Sequence, residues 1–146
     1  MNIKRFVWGV LCLLILSACA ATGPIFTSVE PPSDSQATVY IYRSHYFANR
    51  NSYPHVYLNN EQKDPIKDEG YLVYRVSPGK TALEIRGNMW NWPTSVPLKL
   101  EPNLEAKKIY YFRLRFEPID RGTRHILEQV SEAEAMSELS SKRLSQ

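Results

Sequence analysis

The stretch from Ile109 to Phe116 constrains the fold most. Tyr110, Phe112, Leu114 and Phe116 alternate with Ile109, Tyr111, Arg113 and Arg115. A period of two places the first set on one face of a strand and the second on the other, which a helix cannot do. The run from Ala37 to Arg43 repeats the pattern, with Val39 and Ile41 pointing one way and Tyr40 and Tyr42 the other. Both of its faces carry apolar area, which suits a central strand better than an edge.

Further strand-length segments follow, most of them separated by turn chemistry. His55 to Leu58 leads into Asn59-Asn60 and then Glu61-Gln62. Asn tolerates the positive φ of a tight primed turn, so this reads as a short hairpin. Tyr71 to Val76 precedes Ser77-Pro78-Gly79-Lys80, a type II turn signal after which Thr81 to Arg86 returns. Thr81, Leu83 and Ile85 are expected inward, Glu84 and Arg86 outward. Val96 to Leu100 is a weaker strand. Arg124 to Val130 makes the last one, reached through Asp120-Arg121-Gly122. The sum is an all-β, immunoglobulin-like antiparallel sandwich of about seven strands over residues 37–130.

A short helix is expected within residues 131–146. Ser131 is a good N-cap, and Glu134 three positions on completes a capping box. Glu132, Glu134 and Glu138 come early and Lys142 and Arg143 late, complementing the helix dipole. Met136 and Leu139 form a thin apolar stripe. So short a helix is marginal alone, and it either docks or frays.

The N-terminus carries an address. Lys4 and Arg5 precede an apolar run from Val7 to Leu16, and small residues follow, in the order of a secretory signal. The run is too short for a spanning helix, which needs about 20 apolar residues. Leu16-Ser17-Ala18-Cys19 resembles the lipobox of bacterial lipoproteins. That resemblance implies diacylglycerol on the Cys19 thiol, cleavage before it and acylation of the new amine. The competing reading is ordinary secretion, with Ala18-Cys19-Ala20 as the cleavage site. Ala20 is not Asp, and among Gram-negative lipoproteins this implies export to the outer membrane, facing the periplasm. The expected division is a signal peptide over residues 1–18, a lipidated and flexible tether over 19–36, the sandwich, and the helical tail. Pro and Gly in Gly23-Pro24 and Pro31-Pro32 support the tether. Ile25, Phe26 and Val29 either lie along the membrane or dock on the domain.

Composition narrows function chiefly by exclusion. Cleavage before Cys19 leaves 128 of the 146 residues and lowers the formal charge from +3 to +1. Such a balance does not suit nucleic acid. Cys12 lies in the signal and Cys19 is the lipid acceptor, so no intramolecular disulfide is expected. His45, His55 and His125 show no zinc-motif spacing and no Cys is left to join them, so no metal or cofactor is expected. No Gly-x-Ser-x-Gly elbow occurs, and Asp64, Asp68 and Glu69 cluster around a turn, where acidic residues serve the backbone. No catalytic residue is assigned, and the protein is not expected to be an enzyme.

The candidate binding residues are aromatic. Trp90 and Trp92 lie in one loop; Tyr46, Phe47 and Tyr53 lie in the loop after the first strand. Exposed, these rings can seat on a protein partner or stack on sugar faces. Their other use is to plug the open ends of the sandwich. Arg75, Arg86, Arg113 and Arg115 fall on outward positions, where Glu84 also sits, as on an ordinary solvated face.

Val39 to Arg43, Val56 to Asn60, Gly70-Tyr71, Val76 to Leu83 and Tyr110 to Arg113 are together similar to a family of small bacterial lipoproteins catalogued as a domain of unknown function. That family usually has Asp-Gly where this chain has Asn59-Asn60, and often His where it has Thr81. The resemblance implies a β-sandwich and no known reaction. The expected role is a membrane-anchored envelope lipoprotein of unknown molecular activity, acting as a protein-binding or structural accessory module; the alternative is glycan or peptidoglycan binding through the aromatic loops, and a hydrolase is the third reading.

Overall fold

A computed structural model describes residues 20–87 and 97–146. Strands β1 (Ala37–Arg43), β2 (His55–Leu58), β3 (Glu61–Pro65), β4 (Gly70–Val76), β5 (Gly79–Lys80) and β6 (Leu83–Arg86) come first. They are followed by β7 (Leu98–Leu100), β8 (Asn103–Leu104), β9 (Ile109–Ile119), β10 (Gly122–Val130), helix α1 (Glu132–Leu139) and β11 (Arg143–Leu144). Two sheets carry the fold, a five-stranded one in the order β10-β9-β1-β4-β11 and a four-stranded one in the order β3-β2-β6-β7. β5 and β8 form a small ribbon beside them. The fold is an all-β sandwich with a short C-terminal helix.

Strand β1 is central, as its two apolar faces require: every residue of it is buried. It pairs antiparallel with β4, setting Ile41 opposite Leu72, and parallel with β9, setting Ile41 opposite Phe112. β11 is also parallel to β4. The sheet is therefore mixed, which corrects the antiparallel expectation. Parallel neighbours need a long connection. The chain between β1 and β9 supplies one by building the four-stranded sheet on the way.

The turn chemistry works as expected at one site and differently at another. Asn59 and Asn60 adopt φ of 52° and 67°, closing the β2–β3 hairpin. Gly79 adopts φ of 120°. The chain does not return beside β4, however. It crosses to the other sheet, where β6 pairs with β2 and β7. Thr81, Leu83 and Ile85 are buried as predicted, and so is Glu84, which is engaged by Arg86 at 2.7 Å. The weak fifth segment is Leu98–Leu100; Val96 lies outside the described residues.

Helix α1 docks. Ser131 Oγ accepts from the Glu134 amide at 3.3 Å, and Ala135 and Leu139 are fully buried. Lys142 and Arg143 are not in its last turn. Ser140 and Ser141 end the helix, their hydroxyls bonding back to Ser137 and Glu138 carbonyls. Arg143 and Leu144 then pair along the edge of β4.

Residues 20–36 are not a free tether. Ala21 and Phe26 are buried, and the Ala21, Gly23 and Phe26 amides donate to the carbonyls of Asp68, Leu144 and Lys142. The Glu30 amide donates to the Tyr40 hydroxyl at 2.8 Å, and the Ser33 and Gln36 carbonyls accept from the Lys107 amide. The segment is a strap across the outer face of the five-stranded sheet. Phe26 decides this, standing edge-on to Tyr40 and Tyr71 at 6.0 and 5.6 Å. Scattered bonds of this kind leave no periodicity to read.

Candidate functional site

The alternation that sends Val39 and Ile41 between the sheets sends Arg43 there too, at the end of β1. Its side chain has no exposure. Nη1 donates to the Ser52 carbonyl at 2.6 Å and to the Ile66 carbonyl at 3.3 Å, and the guanidinium lies 5.1 Å from the Phe116 ring centroid. Asp68 Oδ1 lies 3.9 Å from Nε. Burial lowers the Arg43 pKa to about 10, with Asp68 opposing, so the guanidinium is charged at neutral pH.

Asp68, itself 5% exposed in its side chain, organises the next layer. Oδ2 pairs with His45 Nδ1 at 2.6 Å, and Oδ1 accepts from the Tyr46 amide at 3.3 Å. Glu69 approaches His45 Nδ1 to 4.0 Å. His45, Asp68 and Glu69 thus bring one ligand atom each within 4.8 Å of one another. An imidazole with two carboxylates is a donor set for a divalent ion. Both Asp68 oxygens are already engaged, however, by an amide and an imidazole beside a buried guanidinium. That arrangement braces the loop after β1 against the turn before β4. The pairing of Arg43 with Asp68 leaves no signal in the sequence, since 25 positions separate the two. The odd-numbered parity of β1, carried one step past Ile41, is the signal that reveals the arginine.

The candidate aromatic residues divide. Tyr46 stacks on Phe116 at 5.5 Å, with its hydroxyl 3.3 Å from Thr123 Oγ1, so it plugs the end of the sandwich. Tyr53 is half-buried. Phe47 is presented: it is 71% exposed, with the Arg50 guanidinium 4.7 Å from its centroid. Trp90, Trp92 and Cys19 lie outside the described residues.

The histidines do not converge. His55 Nδ1 sits near the Lys63 carbonyl and the Gln62 side chain on the other sheet. His125 is 7% exposed and edge-on to Phe116 at 5.0 Å. Burial, then the nearby Arg43, lowers its pKa. The four outward arginines all pair with acids. Arg75 meets Glu30, Arg86 meets Glu84, and Arg115 meets Glu117 and Glu128. Arg113 meets Glu128, Glu134 and Glu138 at 2.7, 2.8 and 2.6 Å, on the sheet face that α1 covers. Burial disfavours its charge, but Glu128 and Glu138 outweigh that and raise its pKa. At the far end of β9 an open depression of about 350 Å³ is lined by Ile109, Tyr111, Val130 and Glu132 among others. Glu132 alone of its lining carries a charge.

Residues 33–126 match the family described as "Protein of unknown function (DUF2846)", and the chain belongs to it. No curated protein matches the chain.

Proposed function

We propose that this member of an uncharacterised family is a lipid-anchored envelope protein, and that its sandwich is a protein-binding or structural accessory module rather than an enzyme. The anchor half rests on Leu16-Ser17-Ala18-Cys19 after a charged and apolar leader. Within the anchor half, the outer-membrane address, facing the periplasm, rests on Ala20 in place of Asp after Cys19.

The observation that carries the binding half is Phe47. Phe47 is 71% exposed, on a loop held by the hydrogen bond from the Tyr46 amide to Asp68. An aromatic side chain on a braced loop suits the anchor of a binding surface, because it has few rotatable bonds to fix on contact. The Arg50 guanidinium beside it adds a hydrogen-bonding rim.

Cross-linked purification of the full-length protein from intact cells tests this. The expected result is one stoichiometric envelope protein, whose recovery falls at least tenfold in Phe47→Ala while the unfolding midpoint stays unchanged. Recovery of cell-wall glycan with no protein partner moves the role to glycan binding, where Trp90 and Trp92 become the residues to substitute. Mass spectrometry of the same sample addresses the anchor. A mature N-terminus at Ala21 without acyl mass removes it.

A further inference from the structure

The strap has a geometric consequence for the anchor. Ala20 forms a parallel bridge with Asp68, and the Ala21 amide donates to the Asp68 carbonyl at 3.3 Å. Asp68 lies just before β4, opposite the end of β1, where Tyr42 pairs with Tyr71. Cys19 immediately precedes Ala20 in the sequence. Lipid carried on Cys19 would therefore be attached beside the end of the sandwich that carries the Arg43–Asp68 brace.

The apolar surface is distributed to match. Among the described residues, the exposed large hydrophobics are Ile25, Phe47 and Ile119. All three lie toward this end. Phe47 is in the loop after β1, and Ile25 bridges Arg143, which itself pairs with Gly70. β9 runs five residues past its pairing of Leu114 with Arg43, placing Ile119 at a hairpin tip about 16 Å beyond the end of β1. Arg50, Arg121 and Arg124 are exposed nearby, as are Asp120 and Glu69. Charge is thus mixed there, and the anchor position and the apolar side chains carry the argument.

We infer that the end of the sandwich bearing Ala20, Phe47 and Ile119 sits against the bilayer surface, with the strands rising from it. This rests on lipidation of Cys19.

Single-cysteine labelling tests the orientation, because a thioether at Cys19 does not react with a thiol probe. Ala48 is exposed beside Phe47, and Ser77 is exposed past the other end of β4. The two positions are separated by roughly the seven-residue length of β1, about 23 Å. Acylated Ala48→Cys and Ser77→Cys proteins, each carrying a fluorophore, are placed in phosphatidylethanolamine–phosphatidylglycerol vesicles containing a headgroup-nitroxide lipid. The expected result is quenching at least threefold stronger at position 48 than at position 77. Equal quenching of vesicle-bound, acylated protein overturns the orientation and leaves the anchor standing. Protein that lacks the acyl mass and does not float with vesicles overturns both. A third variant, Gln62→Cys on the exposed β3 edge, is expected to fall between the two; quenching there equal to that at position 48 indicates a domain lying on its side and also overturns the inference.

Discussion

The two faces of the five-stranded sheet are closed by different means. On the inner face Val39, Ile41, Leu72, Phe112 and Leu114 meet Val56, Leu58, Leu83 and Ile85 of the second sheet. That layer is mostly aliphatic, and both its walls are hydrogen-bonded ladders. On the outer face Tyr40, Tyr42, Tyr71 and Tyr111 lie under Phe26 and under Ala135 and Leu139 of α1. The cover there is one short helix and one strap, held by separate hydrogen bonds. The tyrosine rings fill this layer, and the Tyr40 hydroxyl also ties the strap down by accepting from the Glu30 amide. Burial, opposed to ionisation, pushes the Tyr111 phenol up to about 12, so it stays neutral at physiological pH. The inner layer is expected to open only with global unfolding and the outer cover to open at lower free energy.

Arg43 is the exception within the inner layer, and its removal has the largest expected effect. Arg43→Met leaves Asp68 buried without its cation and frees the Ser52 and Ile66 carbonyls. Breaking a buried pair costs about 3–5 kcal/mol. Urea denaturation reads this directly. The double variant Arg43→Met, Asp68→Asn is expected to recover part of the loss, because it removes the stranded charge. A loss below about 1 kcal/mol in the single variant means that the guanidinium is not what holds this end together.

The next pair sets the two layers against each other. Ile41→Ala removes a fully buried side chain between the sheets and is expected to cost about 2–5 kcal/mol globally. Phe26→Ala is expected to leave β1 and β9 protected in hydrogen exchange while the Ala21, Gly23 and Phe26 amides lose protection. Gly23→Ala approaches the same strap from the other side. Its Cβ would meet the Leu144 carbonyl oxygen at 2.5 Å. Overpacking of that kind costs about 1–3 kcal/mol, and here the loss is expected in strap protection rather than in the unfolding midpoint. If either strap variant lowers global stability as much as Ile41→Ala, the two layers form a single cooperative unit.

The inner layer was far more legible in the sequence than the outer. Period-two alternation identifies β1, β6 and β9 with their apolar faces, because each packs that face between the two sheets, although Glu84 of β6, expected outward, is buried. The same parity gave the tyrosine face but not what covers it. Phe26 sits among Gly, Pro and Ser, with no repeat around it, and its docking depends on a groove made by Tyr40 and Tyr71, residues distant in sequence. The crossover at Pro78-Gly79 was hidden for a related reason: a turn signal specifies backbone angles, not which sheet the chain enters next. At the candidate site the aromatic residues were named but not sorted. Tyr46 and Phe47 are adjacent and similar in type, and only Phe116, 70 positions from Tyr46, makes one a plug and the other a presented ring.

The smallest expected effect is one of pH, and it belongs to one layer alone. Burial and the nearby Arg43 hold the folded-state pKa of His125 below its ordinary value of 6.5. The unfolded imidazole therefore takes up its proton first as pH falls. The contribution of His125 to stability is full above about pH 6.5 and is lost as pH drops through the lower folded value. Urea midpoints measured from about pH 7.5 to about pH 5.5 should decline in the natural protein and decline less in His125→Gln. The outer cluster, built from Phe26, the tyrosines, Ala135 and Leu139, contains no group that titrates in that window. Exchange protection of the Gly23 and Phe26 amides, which bond to Leu144 and Lys142 and not to Asp68, should stay flat across the same range once corrected for intrinsic exchange rates. A strap that loosens in step with the midpoint would tie its opening to the His125 end of the sandwich, and the separation of the two layers would fail.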